Sequence, residues 1–370
     1  MRRMISFRDF DWVLLAFVLL ICTLGITEIY STTYGTKFAG AHVKQIYFLL
    51  AGLALMFLVS ILNYQVLLEN AHWFYVASIL SLLAVAFLGK KYLGARRWIQ
   101  LPGGQHFQPS EWVKLVLILA LAKYFSEDEN ERGAELSDVA KAGAIAAVPM
   151  LLVLKQPDLG TALTYVPVAL MALFLGGIKF RHAAAILLVI GALAPALWIY
   201  GPRLHLVKPY QKERLTAFLN PDADSQKTGY QLDQSKIAVG SGGVFGKGTL
   251  KGTQTQGSFL PEPHTDFIFA AWCEEHGFVG AMALLLLYFM VLMRLIHNAQ
   301  TASDRAGGFV VMGVVAVLLF HILVNAGMVV GFMPVTGIPL PLMSYGGSSL
   351  LFMFLALGIV MNIRMRRFVN

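Results

Sequence analysis

Long apolar runs joined by short polar connections make up most of the chain. Ten runs can be traced along its 370 residues, and most approach the roughly 20 residues that a helix needs to cross a bilayer. The runs are rich in Leu, Ala, Val and Gly without alternation of apolar and polar positions, which predicts helices rather than barrel strands. They occupy residues 12–29, 46–62, 73–88, 112–124, 142–154, 159–178, 183–200, 266–293, 307–333 and 348–363.

This pattern predicts an all-α, polytopic membrane protein with ten transmembrane helices in a single domain, residues 1–370. Charged residues make up 14% of the chain, compared with about 25% in soluble domains, and the mean hydropathy is +0.65. This excludes a water-soluble enzyme, a secreted domain and a disordered scaffold. The first run is too long for a signal peptide and is predicted to be a retained helix. Cys22 and Cys273 lie inside apolar runs and are predicted to be core residues rather than a disulfide.

The distribution of basic residues predicts the orientation of the chain. Thirteen Lys and Arg residues flank the runs on one face and seven on the other, which places both termini in the cytoplasm. The net charge of +8 indicates orientation and contact with anionic membrane lipids rather than nucleic-acid binding. A large connection, about residues 201–265, then lies outside the cytoplasm between the seventh and eighth helices.

Four polar stretches rich in Gly and Pro connect the runs on the predicted outer face. They are residues 96–111, 155–161, 201–265 and 334–348. Ionisable residues within spans are costly and are functional candidates. Glu111 and Lys114 share one helix face at the start of the fourth run, either as an internal ion pair or as a ligand-binding pair. Arg97 belongs to the same stretch as Glu111 and is predicted to face the same site.

Acidic residues also mark two helix boundaries on this face. Asp158, in the sequence QPDLGT, either caps the sixth helix or binds a cation or hydroxyl group. Glu262, His264 and Asp266 occur within five residues just before the eighth run. Asp266 either caps that helix or, partly desolvated and with a raised pKa, acts as a general base.

Other suggestive strings carry no catalytic prediction. Glu274 and Glu275 lie deeper in the eighth run and are predicted to form bonds between helices. The glycine-rich segment 240–249 has the wrong spacing for a phosphate loop. No second histidine stands at the spacing of a zinc site, and no Ser-His-Asp set is evident.

The predicted outer-face location limits the chemistry. Cytosolic nucleotides are not available there, so an activated donor must carry its own leaving group, and a lipid-linked pyrophosphate suits a membrane enzyme. Arg97 and Lys114 would stabilise the charge on that group, and one carboxylate base suffices for direct displacement. Glu111, Asp158 and Asp266 offer hard oxygen ligands, so a divalent cation such as magnesium is a further hypothesis, and no nucleotide cofactor is expected.

Several long motifs, in order along nearly all of the chain, resemble the SEDS family (shape, elongation, division and sporulation). They are GARRW, FQPSEWVK, QPDLGTAL, GYQLDQSKIAVGSGGVFGKG, GTQTQ, FLPEPHTDFIFA and GIPLPLMSYGGSS. Their wording is nearer to the elongation branch of the family than to its division branch. The resemblance implies a peptidoglycan glycosyltransferase of the cytoplasmic (inner) membrane that polymerises lipid II. It also implies a class B penicillin-binding protein as the transpeptidase partner.

The resemblance further implies roles for individual residues. Asp266, in the motif HTDF, would deprotonate the acceptor hydroxyl, which attacks C1 of the donor and expels undecaprenyl pyrophosphate. Lys236 lies in the part of the outer loop that would contact the pyrophosphate. The substrate-binding candidates are Arg97, Glu111, Lys114, Asp158, Lys236, Glu262 and His264.

Two alternative functions stay open. A lipid II flippase would need a polar route across the whole bilayer, whereas the polar residues of this chain are concentrated in the outer half. A non-catalytic scaffold that only positions a transpeptidase would not need the carboxylate of Asp266.

Overall fold

The computed structural model describes residues 7–92, 95–100, 106–127, 134–186 and 228–368, together with six single positions between residues 188 and 218. Most of these residues are helical, which confirms the predicted helical class. The predicted seventh run and the first part of the connection 201–265 lie largely outside the described residues.

Most of the helices with defined ends coincide with the apolar runs, whereas three shorter ones lie in the polar connections. The helices are α1 (Trp12–Thr33), α2 (Ala41–Ile61), α3 (Tyr64–Glu69), α4 (Ala71–Leu88), α5 (Pro109–Glu127), α6 (Leu136–Lys155), α7 (Leu159–Leu163), α8 (Tyr165–Leu175), α9 (Thr228–Ser241), α10 (Thr253–Gln256), α11 (Ile268–Gln300), α12 (Arg305–Val329) and α13 (Gly347–Met365). Six of them are long and apolar enough to cross a membrane, namely α1, α2, α6, α11, α12 and α13. The number of ten spans therefore stays a prediction.

Two of the predicted runs are interrupted helices. The sixth run consists of α7 and α8, which meet at Thr164. The eighth run, α11, has non-helical backbone at Gly277, with φ 66° and ψ −165°. A positive φ is open to glycine because it has no Cβ, so this residue permits a break inside an otherwise continuous apolar helix.

A small antiparallel sheet, which the all-α prediction did not include, lies between α4 and α5. Its strands are β1 (Lys90–Tyr92), β2 (Ala95–Gln100) and β3 (His106–Phe107), in the spatial order β1-β2-β3. The central strand β2 carries Arg97. The sheet therefore fixes the position of this cation beside the helical bundle.

The centre of the bundle is formed by α12 and α13. In α13, 89% of the most apolar 18-residue stretch is buried inside the protein, compared with 28% of the corresponding stretch in α2. Gly358 of α13 lies so close to α2 that an added Cβ would be 2.8 Å from the Met56 carbonyl oxygen, and such small residues let membrane helices approach closely. Cys22 and Cys273 are buried free thiols, as predicted.

A buried ion-pair cluster joins the ends of α1, α11 and α13. Asp11, just before α1, is 1% exposed. Its carboxylate accepts hydrogen bonds from Arg294 Nε, Asn298 Nδ2 and Arg364 Nη1, each at 2.9 Å. Charges of opposite sign from three helices are thus neutralised in one place, and the first and last helices are held together.

Removing the carboxylate of Asp11 should destabilise the fold. Asp11→Ala leaves Arg294 and Arg364 without their counter-ion, and breaking a buried pair in this way costs about 3–5 kcal/mol. Thermal unfolding in detergent should show a lower midpoint. Asp9→Ala is the control, because Asp9 pairs with Arg367 at 3.3 Å but is 31% exposed, and such pairs contribute at most about 1 kcal/mol. Equal shifts for the two variants would contradict the buried-cluster interpretation.

Candidate active site

Asp158 lies in the break between α6 and α7. Its Oδ1 accepts a hydrogen bond from Thr161 N at 3.2 Å, which confirms the predicted helix cap, and its Oδ2 accepts one from Gln108 Nε2 at 3.0 Å. Arg97 of β2 reaches the same break, with Nη1 3.8 Å from Asp158 Oδ1 and Nη2 donating to the Pro157 carbonyl. Because 30% of the Arg97 side chain is exposed, this cation keeps an open face.

The backbone just before α11 is held by side chains from α12 and from the loop that follows it. Asn325 Nδ2 donates to the Asp266 carbonyl at 2.8 Å, and Ser344 Oγ donates to the Thr265 carbonyl at 2.7 Å. Asn325 is fully buried and also donates to the Ile338 carbonyl at 2.8 Å. The side-chain amide of Asn325 therefore joins the segment before α11 to the loop after α12.

The carboxylate of Asp266 does not cap α11. The helix begins at Ile268, with Phe267 at the cap position and no side-chain cap bond. The alternative in which Asp266 caps the helix is therefore wrong. A Cβ added to Gly337, whose φ is 73°, would lie 3.2 Å from Asp266 Oδ2. The carboxylate therefore stands against a glycine that leaves it space.

Charged side chains from several elements act on Asp266. Burial raises its pKa to about 6, and the negative charges of Glu262 and Asp158 act in the same direction. The positive charges of Arg214 and Arg97 oppose this shift. The structure therefore brings residues from β2, from the α6–α7 break and from the segment before α11 into one electrostatic neighbourhood. A carboxylate that titrates near pH 6 is ionised at neutral pH and is still basic enough to accept a proton.

Glu262 and His264 differ in their access to solvent. His264 is buried against the rings of Phe38 and Tyr345, with centroids 4.6 and 5.8 Å away. Burial lowers the pKa of His264, so its imidazole is neutral at pH 7. Glu262 has a side chain that is 52% exposed and lies 3.9 Å from His264 Nε2. Glu262 can thus meet a ligand, whereas His264 supports an aromatic cluster.

Glu111 and Lys114 form an enclosed pair. Lys114 Nζ lies 2.9 Å from Glu111 Oε2, 3.5 Å from His321 Nε2 and 4.5 Å from the centroid of the Phe352 ring. The Lys114 side chain is 0% exposed. Lys114 and Glu111 therefore form the internal ion pair of the first alternative, and this enclosure argues against direct contact of Lys114 with a substrate. The pair holds α5 against α12 and α13.

Lys236 lies on the exposed side of α9. The side chain of Lys236 passes close to Gly331, since a Cβ added to that glycine would be 2.4 Å from Lys236 Cε. The helix is held at this point by Ser235 Oγ, which donates to the Val329 carbonyl at 2.5 Å. Lys236 makes no hydrogen bond or ion pair with any residue that the structure describes. Its ammonium group is therefore available at the edge of the loop after α12.

The predicted magnesium ligands do not form a cage. Among the described residues, no group of three or more His, Cys, Asp or Glu side chains could hold a metal ion. The carboxylate of Asp158 accepts hydrogen bonds from Gln108 and from Thr161 at the start of α7, and the carboxylate of Glu111 accepts one from Lys114. These two carboxylates already have protein partners, and the magnesium hypothesis stays a prediction.

The glycine-rich segment 240–249 is structural. The carbonyls of Gly243 and Val244 accept hydrogen bonds from Phe278 N at 2.9 Å and Val279 N at 3.0 Å. The segment thus satisfies backbone donors that the break in α11 leaves free.

Sequence reasoning missed three polar residues that build the site, namely Asn325, Gln108 and Arg214. Asn325 lies inside the ninth apolar run, and an uncharged polar residue there is a signal that could have been used. Gln108 and Arg214 lie in polar connections, where nothing in the sequence distinguishes them from solvated neighbours. Only the folded chain shows their partners.

The apolar bundle, with a carboxylate and cations gathered at its helix breaks, defines an integral membrane protein with a polar site. The chain belongs to the family described as cell cycle protein, that of FtsW, RodA and SpoVE, whose model matches residues 10–368. It is 40% identical over 316 residues to the peptidoglycan glycosyltransferase MrdB of Escherichia coli K12, covering 85% of this chain and 83% of that protein. It is 34% identical to the peptidoglycan glycosyltransferase RodA of Treponema pallidum, covering 97% and 98% of the two chains.

Solved structures agree with this membership. A chain of a peptidoglycan synthase complex, described as coordinating polymerization and crosslinking, matches with a TM-score of 0.82 and 34% identity over 98% of this chain and 99% of that one. The rod shape determining protein RodA of Thermus thermophilus matches with a TM-score of 0.72 and 31% identity over 98% of both chains. Similarity therefore extends over nearly the whole fold.

Asp266→Asn should stabilise the fold at neutral pH more than at low pH. Folding raises the pKa of this carboxyl from 3.8 to about 6, so its stabilising contribution is complete below about pH 4 and is lost as the pH rises through about 6. The difference in unfolding free energy between the variant and the wild type should therefore grow over this range by roughly 1–3 kcal/mol. Thermal unfolding at several pH values measures it, with Glu127→Gln, whose carboxylate is 68% exposed, as the control. A difference that does not change with pH would contradict the raised pKa.

Proposed function

We propose that the chain is a peptidoglycan glycosyltransferase that polymerises lipid II into glycan strands for cell-wall elongation and rod shape. The observation that carries this proposal is the carboxylate of Asp266, which titrates near pH 6 in the field of Arg97 and Arg214. A base and cations in one polar region are the groups that sugar transfer from a pyrophosphate donor requires. The relatives named peptidoglycan glycosyltransferase support the same substrate class.

Asp266 acts as the general base. Its carboxylate takes the proton from the 4-hydroxyl of the acceptor sugar while that oxygen forms a bond to C1 of the lipid-linked donor. The bond between C1 and the pyrophosphate oxygen breaks, and undecaprenyl pyrophosphate leaves with the electron pair. Direct displacement of this kind inverts C1 and needs one carboxylate rather than two. Transfer of the proton from Asp266 to water restores the base.

Cations stabilise the leaving group. Arg97 presents its open face above the Asp158 cap, and Arg214 is positioned by a 2.7 Å hydrogen bond to the Thr336 carbonyl. Lys236 supplies a further ammonium group from the exposed side of α9. Fixed positive charges at the developing pyrophosphate lower the barrier because they need no reorganisation during the reaction.

The proposed membrane arrangement follows the basic-residue distribution. We assign ten helices in one domain of residues 1–370, both termini in the cytoplasm, and an extracytoplasmic loop at about residues 201–265. The site then faces the outer side of the cytoplasmic membrane. A class B penicillin-binding protein is the proposed partner, which the similarity to a chain of a complex coordinating polymerization and crosslinking supports.

The test is polymerisation of purified lipid II by the wild type and by Asp266→Asn, each with and without the partner. Loss of a general base should lower the rate by about 10²–10⁴-fold, while binding of lipid II persists. Glu127→Gln is the control, because it removes a carboxylate that is 68% exposed at the end of α5 and leaves the site unchanged. Glycan strands made by the Asn variant at the wild-type rate would refute the assignment. Absence of strands with every form, combined with lipid transport in sealed vesicles, would favour a flippase instead.

The rate of polymerisation should fall in acid, because protonated Asp266 cannot accept a proton. The rate should decline through an inflection near pH 6. In Glu262→Gln, a negative charge that raises the pKa of Asp266 is removed, so the inflection should move to lower pH. Initial rates at saturating lipid II measure both curves. A flat profile through this range, or an inflection that moves to higher pH, would contradict the proposed electrostatics.

A further inference from the structure

A buried carboxylate without a hydrogen-bond partner lies between α1 and α11. Glu28, in the second half of α1, is 1% exposed, and neither of its carboxylate oxygens accepts a hydrogen bond from the described part of the chain. His276 Nδ1 approaches Glu28 Oε2 to 3.8 Å and is also without a hydrogen bond. Glu275 Oε2 is a further buried atom without a partner. Three neighbouring residues thus contribute four unsatisfied polar atoms.

The placement of Glu275 is fixed by α1 itself. Its Oε1 accepts hydrogen bonds from Ser31 Oγ at 2.5 Å and from Leu250 N at 3.2 Å. Ser31 follows Glu28 by three residues, so the two side chains share one face of α1. The carboxylate of Glu275 therefore lies over the same face of α1 that carries Glu28.

Glu274, by contrast, is fully partnered. It accepts hydrogen bonds from Lys247 Nζ at 2.8 Å, Gln254 N at 2.9 Å and Thr255 N at 3.1 Å. Its negative charge is matched by the ammonium group of Lys247. The neighbouring Glu28 and Glu275 have no ammonium or guanidinium partner among the described residues.

An ionised, unpartnered carboxylate at this depth is costly, and it can be neutralised by a metal ion or by a proton. No group of three or more described His, Cys, Asp or Glu side chains could hold a metal ion. A proton needs no coordination cage. A bound proton also turns Glu28 into a hydroxyl donor. Glu275 Oε2 and His276 Nδ1 both lack a hydrogen-bond partner that such a donor could supply.

We propose that Glu28 is a proton-binding site and that the bound proton keeps the segment 242–256 docked on α11. This segment is held by the side chains of Glu274 and Glu275, and by their carbonyls, which accept from Lys247 N at 3.1 Å and Gly248 N at 2.9 Å. Loss of the proton would place a second negative charge against Glu275 and would repel it from the segment. The titratable and charged groups that face this region are Cys273, Glu274, Glu275 and His276 of α11 and Lys247 of the segment.

Infrared spectroscopy of the purified full chain in an alkyl maltoside detergent, which has no ester carbonyl, tests the proton directly. The measurement is made at about pH 8, where Asp266, with its pKa near 6, is ionised. The wild type should show the carbonyl band of a buried carboxylic acid, and Glu28→Gln should lose it. Glu274→Gln is the matched control and should keep the band. Absence of the band in the wild type, or its persistence in Glu28→Gln, would overturn the proposal.

Hydrogen–deuterium exchange of residues 247–256, corrected for the intrinsic pH dependence of exchange, tests the coupling. Raising the pH until the acid band of the wild type is lost should speed its exchange in this segment by about tenfold or more, because docking is lost with the proton. Glu28→Gln imitates the protonated side chain, so it should fold and show no such rise. Glu274→Gln should exchange rapidly at every pH, because it breaks the charged anchor. A Glu28→Gln variant that exchanges rapidly at neutral pH, or a wild type without the rise, would refute the coupling.

Discussion

Backbone polar groups away from water must be satisfied by the protein, and this constraint governs the helix interruptions that the structure describes. At the break in α11 near Gly277, carbonyls of the glycine-rich segment 240–249 accept hydrogen bonds from the backbone N–H groups that follow. In the segment before α11, the backbone carbonyls accept hydrogen bonds from the side chains of Asn325 and Ser344. Each interruption of a helix is therefore also a contact between distant parts of the chain, and these contacts bring the polar residues together.

The same constraint explains why Asp266 is available for chemistry. Its carbonyl is satisfied by Asn325, and α11 begins without using its carboxylate as a cap. Asp158 has the opposite fate, because its two oxygens are taken by the α7 cap and by Gln108. Two aspartates at helix boundaries thus differ in role, one free to titrate and one committed to holding a break and its arginine.

Local patterns in the sequence predicted much of the fold and part of the site. The helical class, the Asp158 cap and the Glu111–Lys114 pair depend on residues within a few positions of each other, which helix geometry relates directly. The small sheet was missed because its strands are short. The exposure of candidates was also beyond the sequence, since Lys114 is enclosed only after α12 and α13 pack on α5.

The pattern of apolar and charged residues predicted a helical bundle with most of its candidate site residues at helix ends, because hydrophobic length and charge act locally. The packing of the helices sets which of those residues meet. Asp266 and Arg97 are separated by nearly half of the chain, and their interaction depends on the docking of separate elements. The facing of Glu28 and Glu275 across two helices is of the same kind. Helix packing, which no short motif encodes, sets those distances.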